Sequence, residues 1–197
     1  MTLSHAFLPD KTRLQQLMLV AGGSLFIALA AQVSVPMIPV PMTLQTLAIL
    51  IVGLTYGARL GLATLVAYLA EGAAGLPVFS NGGAGIAYFF GPTCGFLLGF
   101  ALMAWLAGLA ADRGLARGFV STALVALAVS AILYIPGVAW PMAVAGAFGV
   151  EGGWVGSGAG AIWTHWVSPF LVGDAVKSVI AALVVTGGWA ALKARRV

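Results

Sequence analysis

What most constrains this chain is a series of apolar runs, each close to 20 residues and nearly free of charge, that follow one another from residue 14 to residue 192. At a rise of about 1.5 Å per residue, a helix of that length crosses the roughly 30 Å hydrocarbon layer of a bilayer. Inside lipid every backbone N–H and C=O must find its partner within the protein, which leaves helices and closed barrels as spanning structures. The runs lack the alternating pattern of about ten residues that marks a barrel strand. Composition agrees, because only 7% of the 197 residues are charged, against about 25% in soluble domains.

The expected class is therefore an all-α integral membrane protein, one domain over residues 1–197. Six transmembrane helices are expected at about 14–35, 43–57, 59–75, 86–110, 119–148 and 168–192. The second and third are short for full spans and meet at Tyr56-Gly57-Ala58-Arg59. The fifth is overlong and interrupted by Pro136 and Pro141, so a spanning helix followed by a short surface piece is expected there. Lys11 and Arg13, followed by an apolar run that reaches Ala28-Leu29-Ala30, mimic a cleavable signal peptide. The run continues past that point, so the segment is expected to be kept as the first span.

A net charge of +4 does not point to nucleic acid, because no basic run is interleaved with aromatics of the kind that follows a phosphate backbone. It has a topological reading instead. Lys11 and Arg13 precede the first helix, Arg59 joins the second and third, Arg113 and Arg117 join the fourth and fifth, and Lys193, Arg195 and Arg196 follow the sixth. The alternate connections, 36–42, 76–85 and 149–167, contain no Lys or Arg. Both termini are thus expected to be cytoplasmic.

Lys177 alone does not conform. It lies inside the sixth helix, where a charged lysine costs roughly 2.5 to 3.5 kcal/mol on insertion scales and is normally turned to a protein interior, paired or serving a ligand. Pro169 suits a first helical turn, which puts Lys177 about 12 Å further along the helix. Asp174 is on the same face, three residues earlier. The two either neutralise each other or share a binding site.

The connections expected on the outer side are apolar, rich in Pro and Gly, and unsuited to regular helix. Val35-Pro36-Met37-Ile38-Pro39-Val40-Pro41 has three prolines, and Gly75 to Gly85 holds only Asn81 as an amide. Such backbone is tolerated near a membrane when it packs in protein or lines a cavity, so these loops are expected to cover a pocket. Gln45, Tyr68, Glu71 and Asn81 fall at a similar depth, and with Asp174 and Lys177 they would suit a small ligand with neutral hydrogen-bonding groups and a carboxylate. Taken singly, Gln45 also reads as an interhelical hydrogen bond, Tyr68 as an interfacial aromatic, Glu71 as a solvated helix end and Asn81 as a turn residue.

Other chemistries find less support. No G-x-x-x-x-G-K-[ST] is present, so the chain has no P-loop. Cys94, His5 and His165 make no metal ligand set. Ser157 with His165 evokes a membrane hydrolase, but Gly156-Ser157-Gly158 reads better as a loop. A self-sufficient proton-coupled carrier using Asp174, Glu71 or His165 is the stronger alternative, although six helices without a repeated half are few for one.

Four blocks carry a resemblance: Pro39-Val40-Pro41-Met42-Thr43-Leu44-Gln45-Thr46-Leu47, Tyr68-Leu69-Ala70-Glu71-Gly72-Ala73-Ala74-Gly75-Leu76-Pro77-Val78-Phe79, Gly91-Pro92-Thr93-Cys94-Gly95-Phe96-Leu97-Leu98-Gly99-Phe100, and Pro169 to Lys177. With them the chain resembles the BioY family, the biotin-specific substrate-binding S components of energy-coupling factor transporters. The resemblance implies a six-helix S-component fold in the inner (plasma) membrane of a prokaryote, binding biotin from the outer side, with no enzymatic activity and no cofactor. It also implies partners: a transmembrane coupling protein and cytoplasmic ATPase subunits. Asn81, Asp174 and Lys177 are implied as ligand-binding, with Val78, Phe79, Tyr88 and the loop tryptophans as apolar walls. The family's small-residue docking pattern in the first helix is only loosely matched, by Ser24-x-x-x-Ala28 and Ala30-x-x-x-Ser34. Tight packing inside the bundle would explain those pairs equally well.

Overall fold

The computed structural model describes residues 2–7 and 11–194. Arg195 and Arg196, two of the basic residues assigned above to one side, lie outside the described residues. The chain is mostly helical: α1 (Leu3–Phe7), α2 (Arg13–Gln32), α3 (Gln45–Tyr56), α4 (Ala58–Ala73), α5 (Cys94–Asp112), α6 (Phe119–Ala147) and α7 (Ala159–Ala194). Among the described residues that makes seven helices rather than six, the addition being α1, whose five residues are too short to span. Four helices, α2, α5, α6 and α7, are long and apolar enough to cross a membrane. This is a multi-pass membrane protein. Between them α3 and α4, at 12 and 16 residues, extend only about 18 and 24 Å.

Local sequence explains where each element starts and stops. Thr12 caps α2 in a reciprocal box: its hydroxyl accepts from the Gln15 N–H at 3.3 Å, and Gln15 Oε1 accepts from the Thr12 N–H at 3.0 Å. Past Gln32 the chain extends into β1 (Ser34–Val35), which pairs antiparallel with β2 (Met42–Thr43), Ser34 opposite Thr43. The prolines occupy the tip between them, where no ladder donor is required. Gly57 joins α3 to α4 with φ of 87°, a conformation that strains any side chain, and Asp112 Oδ2 accepts from the Ala58 N–H at 3.0 Å to cap α4.

Three expected segments come out differently. Residues 86–110 do not form one helix: a 3-10 turn over Ile86–Phe90 is separated from α5, because Pro92 holds Gly91 in extended backbone. The fifth segment is one continuous helix through both prolines rather than a helix and a surface piece. A π turn over Trp140–Val144 absorbs Pro141, with the Ala145 N–H reaching back to the Trp140 carbonyl. The last helix begins at Ala159 rather than 168, because a second π turn, Trp163–Val167, takes the chain past Pro169. In both places the wider turn makes room where proline supplies no N–H and crowds the preceding turn.

α5 is the central helix, with 61% of its spanning window buried, whereas α2 is peripheral with 28%. A Cβ on Gly95 would lie 2.3 Å from the Pro136 carbonyl oxygen, so glycine there is what lets α5 and α6 touch. At one end of the bundle α1 closes the base: Leu3 packs on Gly188 and Ser4 Oγ donates to the Tyr56 carbonyl at 3.4 Å. Lys11, bonded to Ser4 at 2.9 Å, and Arg117, 5.6 Å over the Trp189 ring, mark that end as the basic one. The polar side chains of interest gather at the other.

Candidate ligand-binding site

The segment after α4 is pinned in place before it contributes anything to a site. Phe79 is fully buried, stacked on Tyr88 with ring centres 4.9 Å apart and set edge-on to Tyr68 at 5.5 Å. A Cβ on Gly72 would fall 2.0 Å from the Phe79 ring, so α4 accepts this aromatic only because residue 72 is glycine. Gln32, at the end of α2, clamps the turn that follows. Its Nε2 donates to the Phe79 carbonyl at 3.0 Å and its Oε1 accepts from the Gly82 N–H at 3.1 Å. Asn81 adopts the left-handed conformation, φ 57°, which asparagine tolerates better than most residues. Its Oδ1 accepts from Ser34 Oγ at 2.9 Å.

Beneath this turn lies a small cavity of about 60 Å³. Its apolar wall comes from Val40 and Met42 of the hairpin, Phe96, Leu97 and Phe100 of α5, Leu133 of α6 and Phe170 of α7. Lys177 and Asp174 stand on one side of it, 6% and 9% exposed. Lys177 Nζ donates to Asp174 Oδ1 at 3.3 Å, and the Tyr134 hydroxyl donates to Asp174 Oδ2 at 2.5 Å. The carboxylate therefore has a cation and a phenol as partners, and the group of three is neutral as a whole. That arrangement makes a buried lysine affordable in lipid.

A second polar chain supports the opposite side. Thr43 Oγ1 donates to Gln45 Oε1 at 2.9 Å, Gln45 Nε2 donates to the Tyr68 hydroxyl at 2.7 Å, and that hydroxyl donates to the Val78 carbonyl at 2.9 Å. This relay ties the start of α3 to the turn above the cavity. Next to the cavity is a more open vestibule bordered by Pro39, Asn81 and Ala87, which shares Pro41, Ser80, Tyr88 and Thr93 with it. Burial pushes the Tyr88 phenol up from its ordinary value, against the opposing pull of its bond with Thr93, so it is a protonated donor at neutral pH.

The expected site residues thus separate into groups. Gln45, Tyr88, Asp174 and Lys177 line the cavity, and Asn81 borders the vestibule. Tyr68 stands behind Gln45, and Glu71 accepts a hydrogen bond from Ser24 between α4 and α2. Phe79 stacks behind Tyr88 and Trp166 behind Phe96, and neither these two nor Val78 is among the residues that line the cavity. On α2, Ser24 and Ala28 are 0% and 9% exposed, turned into the bundle. Ala30 is half-buried against the core and Ser34 belongs to the hairpin. Sequence reasoning missed Tyr134, Thr46, Ser80 and Gln32. A lone tyrosine in an apolar helix and hydroxyls beside loops give no pattern of their own; only Gln32, a polar residue at a helix end, carried a signal by which it could have been found.

Among the described residues no cluster of His, Cys, Asp and Glu could hold a metal ion. The sequence model of the BioY family matches residues 4–194. The chain belongs to the BioY family. A probable biotin transporter BioY of Pyrococcus horikoshii is 35% identical over 164 residues, 82% of this chain and 90% of that protein. The biotin transporter BioY of Rhizobium etli is also 35% identical over 164 residues, 80% of this chain and 82% of that protein. These BioY relatives are named as transporters, not enzymes. The fold is similar to that in a crystal structure of the S-component for biotin from an ECF-type ABC transporter, with a TM-score of 0.64 at 22% identity, covering 90% of this chain and 93% of that one.

Proposed function

We propose that this BioY chain is the biotin-binding membrane subunit of a biotin uptake transporter, capturing biotin from the outer side and releasing it inward when a coupling protein and cytoplasmic ATPases drive its reorientation. The observation that carries the reading is the buried, neutral Asp174–Lys177–Tyr134 group set in a mostly apolar cavity. Biotin combines a neutral ureido ring, which presents N–H donors beside a carbonyl acceptor, with an apolar thiophane ring and chain. Asp174 accepts from a ureido N–H, Lys177 donates to an oxygen of the ligand, and Phe96, Phe100 and Phe170 cover the apolar portion. Asn81, at the vestibule, is the third ligand-binding residue on this reading.

The membrane orientation follows from charge. Six described basic residues, Lys11, Arg13, Arg59, Arg113, Arg117 and Lys193, stand at helix ends away from the cavity, which supports a cytoplasmic base and a cavity opening outward. The test is a calorimetric titration of the purified protein with biotin, lipoate and thiamine in parallel. Tight binding of biotin alone is expected; tight binding of lipoate or thiamine instead would replace the proposal with a different vitamin.

A further inference from the structure

We infer that Thr46 and Ser80 form the carboxylate-binding end of the cavity, which leaves Lys177 to the neutral ring system; the inference rests on the biotin reading above and sharpens it. Among the described residues three buried side-chain polar atoms lack a hydrogen-bond partner: Thr46 Oγ1, Ser80 Oγ and Ser178 Oγ. The first two belong to residues that line the cavity, and Ser80 is 6% exposed. Folded proteins seldom leave such a hydroxyl unpaired unless something outside the chain completes it. The other strong polar groups of the cavity are already engaged, Asp174 with Tyr134 and Lys177, and Gln45 with Thr43 and Tyr68. Among the described residues these two hydroxyls are the cavity-lining side-chain groups buried with no partner at all.

Their setting selects the chemistry. Thr46 is the second residue of α3, and Met42, Thr43 and Gln45 at the same helix end also line the cavity. The Gln45 N–H is taken by Thr43 Oγ1 and the Ala48 N–H by the Leu44 carbonyl, while no side chain caps the helix from Leu44. The N–H groups of Thr46 and Leu47 consequently have no protein partner among the described residues. Thr46 thus offers its hydroxyl at the positive end of a helix, and Ser80 offers a second buried hydroxyl to the same cavity, a combination that favours an anionic acceptor.

Charge accounting disfavours the alternative placement. A carboxylate laid against Lys177 would also face Asp174, whose charge Lys177 already balances, and the buried group would acquire a net negative charge. A ureido ring there keeps the group neutral, with an N–H to Asp174 and its carbonyl to Lys177. Ser80 also borders the open vestibule, so a carboxylate beside it keeps access to water and is desolvated less.

The experiment titrates the full chain in detergent with biotin and with biotin methyl ester, comparing wild type, Thr46→Val, Ser80→Ala and Lys177→Met. Each hydroxyl removal is expected to weaken biotin by about tenfold or more, as loss of a hydrogen bond to a charged group does, while shifting the ester by less than about threefold. Lys177→Met is expected to weaken both ligands alike. Thr46→Ser, which keeps the hydroxyl, should retain wild-type affinity and guards against a folding artefact. Equal losses for acid and ester in the hydroxyl variants, no loss in either, or a Lys177→Met loss confined to the acid each overturn the inference alone. A wild-type protein that binds no biotin removes the functional reading itself.

Discussion

Asp174 is held from two sides, by the Lys177 ammonium at 3.3 Å and the Tyr134 hydroxyl at 2.5 Å, and the partners are not equivalent. Removing the Asp174 charge by Asp174→Asn leaves a buried cation uncompensated, a change that costs on the order of 3 kcal/mol. Its thermal unfolding midpoint is expected to fall well below that of the wild type. Tyr134→Phe leaves the ion pair but strips Asp174 Oδ2 of its donor, so a stability loss of about 1–3 kcal/mol is expected together with a loss of about tenfold in biotin affinity by titration. An affinity equal to wild type would remove Tyr134 from the site. Lys177→Met is expected to abolish measurable high-affinity binding; retained affinity would sink the assignment of Lys177.

At the scale of elements, the turn over Phe79 to Gly83 is held by neighbours rather than by itself. Gly72 supplies space for Phe79, Gln32 supplies two hydrogen bonds, and Tyr68 supplies one through Val78. Gly72→Val is expected to displace Phe79 and with it the stacked Tyr88, lowering both the unfolding midpoint and biotin affinity. Intact affinity in that variant would show that Tyr88 is not positioned by this stack. Tyr68→Phe leaves the Val78 carbonyl and the Gln45 amide without their partner, a loss of about 1–3 kcal/mol in stability, read in the same melt. The two π turns belong to this scale as well. Each precedes or contains a proline, and the second sets where Pro169 starts the face that carries Asp174 and Lys177.

For the molecule as a whole, orientation and energy source are the open functional quantities, and each has a direct measurement. A cysteine placed at the exposed Glu151, in a background where the buried Cys94 is replaced by Ala, is expected to react with an impermeant maleimide from outside intact cells. One placed at the exposed Leu115, at the basic end, is expected to react only after permeabilisation. The reverse pattern would invert the topology argued from charge. In liposomes, accumulation of biotin is expected to require ATP and the coupling and ATPase partners; accumulation driven by a pH gradient alone would favour the proton-coupled alternative.

Much of this was legible in the linear chain. Twenty-residue apolar runs, the distribution of Lys and Arg, and a lysine out of place identify a helical membrane protein and single out Asp174 and Lys177, because lipid penalises unpaired backbone and charge in the same way wherever the helix packs. The break at Pro92 and the helical run from Ala159 were not legible, since whether a proline stops a helix or is absorbed by a π turn depends on what packs against it. The same is true of Tyr134, Thr46 and Ser80. Each is an ordinary residue in its own segment, and only the approach of α3, α6 and the turn after α4 to the face of α7 gives them a shared cavity. Sequence by itself determined the solvent this chain lives in and the charge it must hide, for those are costs paid residue by residue; tertiary structure decided which hydroxyls and aromatics surround that charge, because proximity across helices is a property of packing.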